Sequence, residues 1–274
     1  MNLSVSNIGY RYSRHFALSD VSLDFTEPVT ALIGPNGAGK STLIKCLAHV
    51  YPCAGSMQYE GRAVDFTDRE FFKRHVGYLP QTSRNDATIT VFEAILLGLM
   101  NNLSLTVSKN QIEAVERMLE LFDLTALATR SLKELSGGQV QMVLLAQALI
   151  KEPEILLLDE PLNNLDVHRQ FALMNMISGI SFGKKMLTVI VLHDIHLAAR
   201  YADRIAVMHQ GRLYDYGTPT EVLTTEMMRT VYKLETVVHK GAGGCPMLEY
   251  IDIARNEIGM QPVQGEAAYE TVAG

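Results

Sequence analysis

The run Gly34-Pro35-Asn36-Gly37-Ala38-Gly39-Lys40-Ser41, followed by Thr42, constrains this chain more than any other feature. It fits the spacing G-x-x-x-x-G-K-[ST] of a phosphate-binding loop. The apolar run Val29–Ile33 leads into it, and a helical pattern with Leu43, Ile44, Leu47 and Ala48 on one face leads out. Strand, glycine turn and helix are the context such a loop needs. The glycines let successive backbone N–H groups turn inward on phosphates, and the helix N-terminus adds its positive dipole. Lys40 is then expected to bridge the β- and γ-phosphates, with the Ser41 hydroxyl on Mg²⁺.

A phosphate-bound metal needs a second oxygen ligand, and Ile155-Leu156-Leu157-Leu158-Asp159-Glu160 offers one. Short apolar runs of this kind read as strands of a parallel sheet buried on both faces. Asp159 emerges at the carboxyl end of such a strand, where ligands sit in open α/β sheets. Asp159 is therefore expected on Mg²⁺, and Glu160 as the general base that polarises an attacking water. His193 ends another apolar run, Leu187–Leu192, which delivers it to the same sheet edge. There an imidazole can hydrogen-bond a γ-phosphate oxygen or the water, although a lone histidine is more often structural.

Between about Thr82 and Ile150 the pattern turns helical. Ile112, Val115, Met118, Leu119 and Phe122 describe one apolar face, and Val140–Ile150 is apolar almost all round. Ile205–Met208 and Arg212–Tyr216 flank a plausible hairpin turn, and Leu248–Ile253 reads as a strand within a glycine-rich tail. The fold class is thus α/β with a helical insertion. The expected division is 1–240 for the nucleotide-binding domain (insertion about 82–150) and 241–274 for a short tail, frayed at Gln261–Gly274.

With 47% hydrophobic and 20% charged residues, a sizeable core can form. The formal charge of −6 argues against a nucleic-acid partner, since such binding is dominated by Lys and Arg on phosphates. The 3 cysteines lack metal-ligand spacing and suit a reducing compartment, with Cys46 in the core and Cys245 exposed. No apolar run reaches membrane-spanning length, and the first residues lack the order of a signal peptide. Work at a membrane would require partner subunits that span it.

Leu135-Ser136-Gly137-Gly138-Gln139 opens a helix with a second anion-binding pattern, although the chain already has a phosphate cradle. A second such site makes sense if it serves a nucleotide held by another copy. These residues resemble the signature motif of ABC-type ATPases. The resemblance spans about residues 2–255, with the family's landmarks in order. It implies that Tyr12, with Tyr10 as runner-up, stacks on adenine. It implies that Gln81, in Tyr78-Leu79-Pro80-Gln81, senses the γ-phosphate and Mg²⁺, and that His193 is the switch histidine. Asn164 and Asp166, in Asn163-Asn164-Leu165-Asp166, resemble the loop that crosses the dimer interface.

By the same resemblance the fold is a P-loop cassette with an N-terminal antiparallel β part and a helical subdomain. Two copies would close head to tail on two Mg-ATP. Each nucleotide would be held by one copy's Gly34–Thr42 and the other's Ser136, Gly137, Gly138 and Gln139. The dimer would drive two transmembrane permease subunits from the cytoplasmic face of the inner membrane, indirectly served by a solute-binding protein. Glu160–Asp166, Leu192–Asp203 and Gly217–Thr224 are similar to ATPases of ferric-siderophore, haem and cobalamin importers. The competing readings are a soluble ABC ATPase outside transport and an exporter ATPase. Val140, Met142 and Gln147 stand where the family usually carries basic residues, and Leu99-Met100 where chelate importers show arginine and proline.

Overall fold

The computed structural model describes residues 1–12, 15–81, 88–99, 107–163 and 165–254. Strands β1 (Leu3–Tyr12), β2 (His15–Phe25) and β3 (Val29–Ile33) lead into helix α1 (Lys40–Leu47). Strands β4 (Ala54–Tyr59) and β5 (Arg62–Val64), helix α2 (Arg69–His75) and strand β6 (Val76–Leu79) follow. Next come helices α3 (Val91–Leu97), α4 (Lys109–Leu121) and α5 (Gly137–Leu149). The chain then alternates through β7 (Ile155–Leu158), α6 (Val167–Lys184), β8 (Leu187–Val191), α7 (Ile195–Tyr201), β9 (Arg204–His209) and β10 (Arg212–Gly217). A hairpin of β11 (Leu234–Lys240) and β12 (Pro246–Ile253) comes last.

The central sheet has the order β10-β9-β3-β8-β7-β6, parallel except for β10. Strands β3, β7 and β8 are buried at every position, as their unbroken apolar runs require. Alternation assigns their side chains to two cores. Ala31, Ile33, Leu156, Leu158 and Ile190 face the helices α3 to α7. Leu32, Leu157, Val189 and Val191 face α1 and the antiparallel sheet β2-β1-β4-β5. Each fully buried Val, Leu or Ile side chain among them contributes roughly 1.5–3 kcal/mol, so the sheet between the cores is a rigid base for the loops at its edge.

The helical insertion is ordered by caps that the sequence spells out. Thr90 with Glu93, Ser108 with Gln111 and Ser136 with Gln139 each form a reciprocal capping box at a helix start. In α4, Val115, Leu119 and the following Phe122 are buried, but Ile112 is 38% exposed. The apolar face of α4 is narrower than the sequence spacing predicts, because only its later turns lie on the core. Strand β8 stops at Val191, which leaves Leu192 and His193 in the loop beyond.

The turn between β9 and β10 has Gln210 and Gly211 at φ 49° and 76°, the left-handed pair of a tight hairpin. It braces the glycine-rich loop: the Gly211 N–H donates to the Ala38 carbonyl at 3.0 Å. The tail expected from 241 onward pairs back on residues 234–240. Its Leu248 is buried, and Cys245 is half-buried rather than exposed, its thiol donating to the Ala199 carbonyl at 3.0 Å. Cys46 lies fully in the core. Among the described residues no helix is long and apolar enough to cross a membrane. Gln261–Gly274 lies outside the described residues.

Candidate nucleotide site

The glycine-rich loop follows β3 and ends in α1. Two of its glycines are sterically obligatory. Gly34 has φ 143°, and a Cβ there would lie 2.1 Å from the Met208 carbonyl oxygen. Gly39 has φ 103°, and a Cβ there would lie 2.8 Å from the Ala17 carbonyl oxygen. The backbone therefore approaches β2 and β9 closely and curls into a cradle at the N-terminus of α1. Asn36, Gly37, Ala38, Gly39, Lys40, Ser41 and Thr42 line a pocket of about 320 Å³ with Tyr12, Ala17 and Glu160.

Lys40 is 4% exposed, and its Nζ donates to the carbonyls of Gly34 at 2.7 Å and Pro35 at 3.0 Å. Burial pushes the pKa of this ammonium down, while the carboxylates of Glu160 and Asp159 oppose the shift. Lys40 thus bends back over its own loop, with two acidic groups within electrostatic reach.

Asp159 is fully buried, and its N–H donates to the Leu79 carbonyl at 2.9 Å. Neither carboxylate oxygen makes a hydrogen bond of good geometry. Burial pushes its pKa up, and the nearby Ser41 hydroxyl and the charge of Lys45 counter this. A buried carboxylate with two orphaned oxygens is costly unless a cation or donor reaches it. Asp159 beside Ser41 therefore fits a Mg²⁺ ion carried in with phosphates.

Glu160, one residue on, points elsewhere. Its φ of 54° is left-handed, a conformation that costs a residue other than glycine about 1–3 kcal/mol. The turn aims the carboxylate, 11% exposed, at residues from other loops. Gln81 Nε2 donates to Oε2 at 2.6 Å, Asn163 Nδ2 donates to Oε2 at 2.6 Å, and His193 Nε2 meets Oε1 at 2.7 Å. The structure thus brings Gln81, Glu160 and His193 together, from the loops that follow β6, β7 and β8. Asn163 is a member of this group that sequence reasoning missed. Its signal is the turn Glu160-Pro161-Leu162-Asn163, with proline at the second position.

At the other end of the pocket Tyr12 is 42% exposed. It stands edge-on to Tyr10 at 4.9 Å and to Tyr51 at 5.6 Å, while Tyr10 and Tyr51 stack in parallel at 4.8 Å. Tyr12 is the ring that lines the pocket; Tyr10 supports it from behind. Tyr51, which the sequence reading also missed, completes the aromatic group.

Ser136, Gly137, Gly138 and Gln139 do not line this pocket. They form the first turn of α5, where the Gln139 N–H donates to Ser136 Oγ at 3.3 Å and the Ser136 N–H to Gln139 Oε1 at 2.9 Å. Gly138 packs so closely that a Cβ would lie 2.8 Å from Leu165. Asp166 caps α6, accepting the Arg169 N–H at 2.9 Å. Asn164 lies outside the described residues. Among the described residues no group of three or more His, Cys, Asp and Glu side chains is placed to hold a metal ion.

Comparison with known proteins agrees with this geometry. The ABC transporter family profile matches residues 18–163. An uncharacterised ABC transporter ATP-binding protein of Methanocaldococcus jannaschii is 36% identical, over 89% of this chain and 96% of that one. A hemin import ATP-binding protein of Aliivibrio fischeri is 35% identical, over 86% of this chain and 92% of that one. In fold the chain matches a solved structure described as a metal-chelate type ABC transporter in an inward-facing conformation. The TM-score is 0.77 at 22% identity, covering 92% of this chain and 98% of that chain. With its glycine cradle, its paired carboxylates and its helical insertion, this chain belongs to the ABC transporter family as an ATP-binding cassette, an ATPase.

Proposed function

We propose that this chain is the energy-coupling ATPase of an importer for an iron–siderophore, haem or related metal chelate. The observation that carries the reading is likeness, over most of the chain, to an ATP-binding protein named for hemin import. Two copies trap two ATP molecules head to tail and act on two membrane-spanning permease subunits from the cytoplasmic face of the inner membrane. A solute-binding protein feeds the permease from the other side. The protein is peripheral and reaches the membrane only through its partners.

In this reading Tyr12 stacks on adenine, and the N–H groups of Gly34–Thr42 hold the phosphates. Lys40 leaves the Gly34 and Pro35 carbonyls and turns to the β- and γ-phosphates. Ser41, Asp159 and Gln81 would hold Mg²⁺, which when bound neutralises the charge on the phosphate oxygens. Glu160 accepts the proton of the attacking water, and His193 steadies the γ-phosphate side. Ser136–Gln139 of the second copy present the N-terminus of α5 to the same nucleotide, with Asn164 and Asp166 at the interface. Hydrolysis removes the γ-phosphate that joins the two copies, so dimer and permease relax together.

Uptake measured in a deletion strain tests the import reading. A panel of ferric siderophores, haem and cobalamin is the probe set. Uptake of one member is expected to fall, to return with the wild-type gene, and not to return with Lys40→Ala. Undiminished uptake of the whole panel overturns the reading and favours a non-transport or exporter ATPase.

A further inference from the structure

We propose that Asn163 is a positioning residue for hydrolysis. Its amide holds Glu160 Oε2, alongside that of Gln81 before ATP arrives and alone afterwards, and so keeps the carboxylate turned with Oε1 toward the water proton. The proposal rests on Glu160 acting as the base.

An ionised carboxylate only accepts hydrogen bonds, so the amides of Gln81 and Asn163 must both turn their NH₂ groups toward it. Both reach Oε2, each at 2.6 Å. Among the described residues Oε1 meets only the His193 Nε2, at 2.7 Å, which leaves one of its lone pairs for a water. A water bound there gives its proton to Oε1 while its oxygen bonds the γ-phosphorus. The bond from that phosphorus to the β-phosphate oxygen breaks, and ADP and phosphate form.

The two amides are not equivalent. Gln81 is the residue proposed to turn toward the metal and the γ-phosphate once ATP is bound. Asn163 then remains as the donor that holds Oε2 and stops the carboxylate from rotating away. Local sequence keeps Asn163 in reach. It closes a four-residue turn with Glu160, its N–H directed at the Glu160 carbonyl at 3.4 Å, and Pro161 restricts φ at the second position. Asn163 is solvent-exposed and contributes nothing to either core, so its replacement leaves packing intact.

Steady-state hydrolysis by the purified full chain tests this with Asn163→Ala, Asn163→Asp and Asn163→Gln. Loss of a hydrogen bond to a charged group predicts a fall in kcat of about tenfold for Asn163→Ala, with KM for ATP within about twofold. Asn163→Asp has the same shape but sets a like charge against Glu160, so its kcat falls further. Asn163→Gln keeps the amide and recovers most of the turnover. Glu160→Gln is measured in parallel. If it keeps wild-type turnover, the base assignment fails and this proposal with it. If Glu160→Gln is inactive while Asn163→Asp turns over like the wild type, the positioning role alone is overturned. A fall in kcat that Asn163→Gln does not relieve, or that comes with a matching fall in Tm, also overturns it.

Discussion

Glu160→Gln is expected to lower ATP turnover by roughly 10²-fold or more, the range for loss of a general base. The substitution keeps the shape of the side chain and its place in the left-handed turn, and it changes only what the terminal group can accept. The carboxylate now receives Gln81, Asn163 and His193; an amide has one oxygen to offer them and cannot take a proton. Lys40 and the glycine cradle are untouched, so ATP affinity should stay near that of the wild type. The variant should accumulate as an ATP-bound dimer, visible by size-exclusion chromatography with ATP and absent without it. Wild-type turnover would remove Glu160 from the chemistry.

Lys40→Ala acts at an earlier step. Lys40 is almost wholly buried and directs its ammonium over the glycine loop. Removing one member of a buried, hydrogen-bonded charge set costs about 2–5 kcal/mol, so ATP affinity should fall roughly 10²-fold or more. The loss has two sources. The phosphates lose a charged donor, and Asp159 and Glu160 lose the cation that offsets their repulsion of an incoming polyanion. Equilibrium binding of a fluorescent ATP analogue reads the effect directly. Unchanged affinity and unchanged turnover would refute the role of the loop.

The glycine loop was legible because all its determinants are contiguous. A buried strand, an eight-residue loop with four fixed positions and a helix follow one another, and each leaves its mark locally. The central strands were legible for a related reason, since burial on both faces permits only apolar side chains at Ile155–Leu158 and Leu187–Val191. What stayed hidden depends on contacts between distant segments. Strand β3 lies between β8 and β9, an order that no local pattern encodes. Tyr51 stacks on Tyr10 only because α1 ends beside β1, and Ile112 looks like a core residue until α4 is seen to tilt its first turn into solvent. Asn163 falls between these cases. Its turn is local, but the carboxylate it grips has meaning only once Gln81 and His193 arrive from other loops.

The placement of Ser136–Gln139 outside the pocket matters most for how this ATPase works. Residues with the character of an anion site cap α5, while the pocket of Asn36–Thr42 is lined without them. In the proposed dimer a second copy would supply them, so that each site would be built from two chains. Differently tagged Lys40→Ala and Ser136→Arg chains, purified as a mixed dimer, decide the matter. Each variant alone is expected to be inactive, because every site contains the damaged part. In the mixed dimer one site combines both lesions and the other combines the intact cradle with the intact α5 terminus. ATP turnover by the mixed dimer well above either parent is the predicted result, and a mixed dimer as inactive as its parents would contradict it.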